Sequence, residues 1–329
     1  MKKPLYLFSG GHIKRQDHTL TIENVKEKHY KPIEAISELY CFGEYSFNSK
    51  FFNFLGQKKT PFHLFNYYGF YTGSFYPREE IISGLIVLKQ SQYYLDQTLR
   101  LQIAQEFLDA AASNILSNLN YYKNREKEVT SEINSIKEIK KRLKEARTLM
   151  ALMGMEGNIR QLYYKAFEKI INQEISFEKR EKRPPNNLVN TLISFGNTLC
   201  YTAVLSQIYR TQLNPLISFL HEPGNRRFSL SLDIAEIFKP VLVDRLIFTM
   251  LNRREITVSD TEKHSNFCYL KESARKTFIR KWEEKLQTTV MQKNLKKKVS
   301  YRRLISLECY KLIKHLLKEK KYTGFKMWW

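Results

Sequence analysis

Cysteine is scarce in this 329-residue chain, and its placement carries no pattern. Cys41, Cys200, Cys268 and Cys309 are scattered, with no CxxC and no metal-like spacing. That argues against a disulfide framework and a thiolate metal site, and leaves core thiols as the expectation. No apolar run approaches the roughly 18–20 residues that span a bilayer, so no membrane is expected. After Lys2 and Lys3 the run PLYLF stops at Ser9-Gly10-Gly11, too short for a secretory signal, and a cytoplasmic location follows. There is no GxGxxG and no Walker-type phosphate loop, so neither a dinucleotide nor ATP is implied. No internal repeat and no cluster suggesting a covalent protein nucleophile are present.

Acidic residues are also in short supply: 33 Asp and Glu stand against 55 Lys and Arg, a net charge of +22. Solubility asks roughly 2–8 units of a small domain, so this excess predicts a polyanionic partner and strongly salt-dependent binding. The last stretch, Lys271 to Trp329, holds 18 Lys or Arg against 5 Glu, more than half of the surplus. The bland alternative, solvated helix faces, fits runs such as IKEIKKRLKEAR better than a dedicated binding motif does.

The length suggests two domains, and an apolar fraction of 43% is globular rather than disordered. Residues 1–80 read as β-rich, with short runs such as TLTIENV, AISELYCFG and PFHLFNYYGFY separated by turn residues. From Ile81 the period changes. Leu95, Leu99, Ile103 and Phe107 recur every four residues, which predicts one helix running to about Asn120. Ile133, Ile136, Ile139 and Leu143 mark an amphipathic helix within the charged segment that follows. Further helices are predicted over 156–173, 187–210 and 230–253, the last kinked or split by Pro240. Pro184-Pro185 ahead of Asn186-Asn187 reads as a helix stop and cap. The expectation is therefore an α+β protein. A β-rich N-terminal domain, 1–80, precedes a larger all-α domain, 81–329, with a basic tail.

The most informative stretch is FLHEPGNRRFSLSLDIAEIFKPVLVDR, from Phe219 to Arg245. His221 sits in a short turn with Pro223 and Gly224, and a helix then carries Asp233 and Glu236 three positions apart, on one face. Glu156 adds a third acid, bracketed by Gly154 and Gly157 inside a helical pattern. Glycine costs a helix interior about 1 kcal/mol against alanine, so bulk is expected to be excluded there, by a ligand or by a closely packed helix. Acids plus one imidazole suit a hard divalent ion, Mg²⁺ or Mn²⁺, better than a closed zinc site. Such an ion activates water for DNA hydrolysis or a 3′-hydroxyl for transesterification, and the site residues alone do not separate the two. Taken singly, each of these residues is more often structural or solvent-facing. Asp244-Arg245 reads as an ion pair or cap, and His12, His18, His29, His63, His264 and His315 belong to no ligand motif. Arg226, Arg227, Lys239 and Arg245 are placed to meet a phosphate backbone.

Several motifs in order resemble the CRISPR-associated integrase family, the universal endonuclease of spacer acquisition. They are FYTGSFYPRE at 70–79, the helix SGLIVLKQSQYYLDQTLRLQIAQEFLDAAASNIL at 83–116, GMEGNIRQLYY around Glu156, RPPNNLVNTLISFGNTLCY at 183–201, and LNPLISFLHEPGNRRFSLSLDIAEIFKP. The domain junction most resembles the I-B subtype. The resemblance runs through almost the whole chain. It implies a β-sandwich-like first domain that builds a homodimer and a helical catalytic domain. It also implies metal ligands at Glu156, His221 and Glu236, with Asp233 as an additional acid beside the metal; many members have aspartate where Glu236 stands. The implied activity inserts short duplex DNA into a repeat array, with two dimers bridged by a small CRISPR adaptation partner protein. A stand-alone structure-selective nuclease on branched DNA and a non-catalytic nucleic-acid scaffold are the competing readings.

Overall fold

In a computed structural model the chain divides into two compact units, 1–80 and 81–329. The structure describes residues 2–24, 27–78, 81, 83–173, 175, 177, 179–181, 184–224, 228–264, 267–292 and 296–328.

The first unit contains strands β1 (Lys3–Leu7), β2 (Gly11–Gln16), β3 (Thr19–Glu23), β4 (Lys28–Pro32), β5 (Ile36–Phe42) and β6 (Tyr45–Phe47). Helix α1 (Ser49–Lys58) and strands β7 (Phe62–Phe65) and β8 (Tyr71–Phe75) complete it. Two mixed four-stranded sheets form, in the orders β1-β5-β7-β8 and β4-β3-β2-β6. Strand side chains alternate between faces, so Leu39 and Cys41 of one sheet meet Ile13, Leu20 and Ile22 of the other, with Phe51, Phe54 and Leu55 of α1 closing the core. The sandwich-like expectation holds. Asn48 caps α1 by accepting a hydrogen bond from the Phe51 N–H at 3.0 Å.

The second unit is helical: α2 (Gly84–Leu95), α3 (Gln97–Lys123), α4 (Thr130–Arg142), α5 (Leu149–Ile170), α6 (Leu188–Tyr209), α7 (Ser229–Lys239), α8 (Arg245–Asn252), α9 (Glu272–Gln287) and α10 (Tyr301–Leu316). It is not purely α. Two antiparallel hairpins interrupt it, β9 (Thr261–His264) with β10 (Phe267–Leu270), and β11 (Thr289–Gln292) with β12 (Lys297–Ser300).

The one helix expected through Leu95 and Leu99 to about Asn120 is two. Asp96 leaves helical geometry and its carboxylate caps α3, accepting from the Thr98 and Leu99 N–H groups at 2.9 and 3.0 Å. Leu95, on the far side of that break, is exposed. Asn187 caps α6, accepting from the Asn190 N–H at 2.9 Å. α6 is long and apolar enough by composition to cross a membrane, contrary to the sequence expectation, but 78% of that window is buried inside the unit. It is the core helix. All four cysteines are free and buried; burial pushes the Cys200 thiol up to about 12.

Pro240 divides the predicted 230–253 helix as expected, ending α7 at Lys239. Proline has no N–H to give to the ladder, and the chain passes through a π-helical segment, Pro240–Asp244, before resuming as α8. Gly196 of α6 lets this segment come close, since a Cβ there would lie 2.5 Å from Val243 Cγ1. The described part of the tail is not a free arm. Asn114 of α3 donates to the Phe325 carbonyl (3.0 Å) and accepts from the Met327 N–H (2.7 Å), and the Phe325 ring stacks on Phe238 of α7.

Candidate active site

Helix α5 is capped by Thr148, whose hydroxyl accepts from the Ala151 N–H at 3.2 Å. Leu152, Ile159, Tyr163, Phe167 and Ile170 bury one face. That orientation leaves Glu156 and Arg160, one turn apart, at the margin of the core; their side chains are 20% and 12% exposed. The Arg160 Nε lies 3.4 Å from Glu156 Oε1, and its Nη2 donates to Glu236 Oε2. One guanidinium therefore bridges the acid of α5 and the acid of α7.

On α7, Leu230, Ile234 and Ile237 face the core. Glu236 is buried with them and shares its second oxygen with Lys239, one turn on, whose Nζ also donates to the Tyr201 hydroxyl at 3.1 Å. Lys239 is 7% exposed. The sequence placed it on a phosphate-facing surface; it is instead the buried ion-pair partner of Glu236, because the i, i+3 spacing sets both on the same buried row.

Asp233 is 0% exposed and bonds the loop before α7. Its Oδ2 accepts from the Phe219 and Leu220 N–H groups at 2.7 and 2.9 Å, and its Oδ1 accepts from the His221 N–H at 2.9 Å and Nδ1 at 2.8 Å. Its lone pairs are spent. Asp233, expected as an additional acid beside the metal, bonds the backbone and ring of the candidate ligand His221 and so builds the histidine turn. Arg100 of α3 holds the same turn from another side, donating to the Phe219 carbonyl at 3.0 Å and to Glu222 at 2.8 Å.

The electrostatics follow from these contacts. Burial works against a charged His221, but the Asp233 hydrogen bond and negative charge, aided by Glu236, outweigh it and raise its pKa. Burial likewise disfavours ionised Glu236, yet Arg160 and Lys239 hold it far below the usual carboxylate range. Asp244, on the π segment, is pushed up to about 6 by burial, partly countered by Arg160, Lys239 and Tyr163. Its Oδ2 has no hydrogen-bond partner among the described residues.

The chemistry of the donors fits a hard divalent ion. With Nδ1–H committed to Asp233, a neutral His221 presents its Nε2 lone pair, as metal-ligating histidines do, and Glu236 is ionised. The arrangement is less ready than the chemistry. Among the described residues no three acids, histidines or cysteines converge as a coordination shell, and Arg160 stands between the two carboxylates. Sequence reading passed over Arg160, although its i+4 spacing from Glu156 was visible.

Gly154 and Gly157 flank Glu156 on the open side of α5, and a Cβ at either would meet nothing within 4 Å. Among the described residues no helix packs against either glycine, which does not support the closely packed helix offered as one of the two reasons for them. Arg226 and Arg227 lie outside the described residues. Arg245 does not pair with Asp244; its guanidinium lies 4.8 Å from the centre of the Tyr121 ring, with Arg125 3.8 Å from the same ring. Lys285 sits nearby, lowered to about 8 by burial and by Arg245.

The chain is thus a two-unit α+β protein, a β-sandwich unit followed by a helical unit whose histidine turn and acid-bearing helices form the candidate site. The family model for "CRISPR associated protein Cas1" matches residues 5–284, and the chain belongs to that family. A CRISPR-associated endonuclease Cas1 from Fusobacterium nucleatum is 51% identical over 330 residues, covering 100% of this chain and 98% of that protein. The solved structure of a Cas1 protein from Thermotoga maritima has a TM-score of 0.89 at 41% identity, covering 99% of this chain and 100% of that one. A casposase bound to an integration product has a TM-score of 0.87 at 20% identity, covering 98% and 93%, a likeness of fold.

Proposed function

We propose that this chain is a metal-dependent DNA endonuclease and integrase of CRISPR adaptation, joining short duplex fragments to a repeat array by attack of their 3′-hydroxyl ends. The observation that carries the reading is His221, fixed at ring and backbone by buried Asp233 while Glu236 lies close enough for their charges to interact. Family membership and the naming of the Fusobacterium relative as an endonuclease support it.

Glu156, His221 and Glu236 are the residues that would hold Mg²⁺ or Mn²⁺, which when bound supplies Lewis-acid activation of a phosphodiester. The chain's own groups do the rest. Asp233 fixes the imidazole tautomer and aim. Lys239, steered by Tyr201 and Glu236, keeps positive charge next to the reacting region, where it favours the extra negative charge of a phosphoryl transition state. The open face at Gly154 and Gly157 gives the backbone of double-stranded DNA room to approach. Arg245, with Arg125 and Lys285, offers phosphate contacts: none of the three has a carboxylate within ion-pair distance among the described residues. The protein acts as a homodimer with a small CRISPR adaptation partner protein, in the cytoplasm.

Strand transfer tests the reading. A labelled duplex with free 3′-hydroxyl ends is offered to a supercoiled repeat-bearing plasmid with Mn²⁺ or Mg²⁺ and the partner protein. Joined product that vanishes with EDTA is expected. Cutting without joining would favour the nuclease alternative, and tight DNA binding with neither activity would favour a scaffold.

A further inference from the structure

We propose that Arg160 is a built-in counter-cation of the metal site: it ties Glu156 to Glu236 when no divalent ion is bound, yields those oxygens when one binds, and then turns to Asp244. The proposal rests on the metal reading above and addresses why three suitable donors do not form a shell.

Glu236 is buried, and Glu156 stands across from it at the margin of the core. Two carboxylates facing each other in a poorly solvated place repel unless a cation lies between them. Lys239 does not serve, because it reaches Glu236 and Tyr201 but not Glu156. Among the described residues Arg160 alone touches both acids, and so links α5 to α7 at this point. An ion ligated by Glu156 and Glu236 would need oxygens that the guanidinium now uses. The two cations are therefore competitors for one place.

A displaced guanidinium needs a new anion, since an unpaired buried charge is costly. Asp244 supplies it. The residue is 2% exposed on the π segment, its Oδ2 is without a hydrogen-bond partner among the described residues, and its charge and that of Arg160 act on each other. The other charged and polar groups acting on Asp244 are Lys239, Glu236 and Tyr163. A buried, half-satisfied carboxylate is otherwise hard to explain. It makes sense as the second resting place of a side chain that has two.

The test is Mn²⁺ binding by titration calorimetry on the whole chain, paired with melting in EDTA and in saturating Mn²⁺. Removing the competitor in Arg160→Gln should tighten Mn²⁺ binding about tenfold, a change of about 1.4 kcal/mol. It should also lower the melting temperature in EDTA, with the gap to wild type closing when Mn²⁺ is added. Arg160→Lys, which keeps the charge but loses the fork that reaches both acids, should show the same changes at smaller size. Asp244→Asn should weaken Mn²⁺ binding without lowering stability in EDTA. Wild-type affinity in both Arg160 variants, or a melting deficit that Mn²⁺ leaves unchanged, would overturn the proposal while leaving the metal reading intact. A wild-type chain that binds no Mn²⁺ would overturn both.

Discussion

Asp233 grips His221 twice with a single oxygen: Oδ1 accepts from the backbone N–H at 2.9 Å and from ring Nδ1 at 2.8 Å. The turn and the imidazole are thus set by one buried carboxylate, so the ligand's position and its tautomer cannot vary independently. Asp233→Asn replaces one accepting oxygen by an NH₂ that faces N–H groups. We expect strand transfer to fall by roughly 10–100-fold and the fold to lose about 1–3 kcal/mol. Joining rates and urea unfolding measure the two effects.

The raised pKa of His221 has a sign that experiment can read. A group whose folded pKa lies above its unfolded value stabilises the fold below the unfolded pKa, and that contribution is lost as pH rises through the folded pKa. The His221–Asp233 pair should therefore add more stability near pH 6 than near pH 8, seen as a larger melting difference between wild type and His221→Ala at the lower pH. Metal ligation needs the neutral ring, so strand transfer should rise over the same interval in which this stability fades.

The open face of α5 yields a prediction in which stability and activity part. Gly154→Ala and Gly157→Ala each remove a helix-interior glycine where the added methyl meets nothing. Each should stabilise the protein by up to about 1 kcal/mol. If DNA passes over this face, the same substitutions should reduce joining. A destabilised variant would show that the backbone there is not the ordinary helix described.

How much of this the sequence revealed depended on distance along the chain. The acid spacing of α7, the histidine turn and the change of period near Ile81 are local patterns, and they were readable. Spacing gives the face of a helix but not the depth at which the face lies. For that reason Lys239, buried against Glu236, read as a surface contact. The break at Asp96 was hidden because apolar spacing continues through Leu95 and Leu99, although an aspartate is a good cap. The packing of Phe325 and Met327 on α3 and α7 was illegible, because their partners Asn114 and Phe238 are remote in sequence. Lysines interleave the same segment.

On the proposed function, Arg245 beside Tyr121 and the neighbouring Lys285 serve DNA binding rather than chemistry. Arg245→Gln and Lys285→Gln should each lower the slope of log affinity against log salt by about one. The dependence on divalent metal should stay as it is. An unchanged slope in both would remove this patch from the DNA path.

On the proposed function, Glu156 and Glu236 serve chemistry rather than DNA binding. Fluorescence-anisotropy affinity and joined-product yield, measured side by side for wild type and Glu156→Gln in Mn²⁺, test it most directly. Equal affinity and no joined product are expected in the variant. Joining at the wild-type level would contradict it.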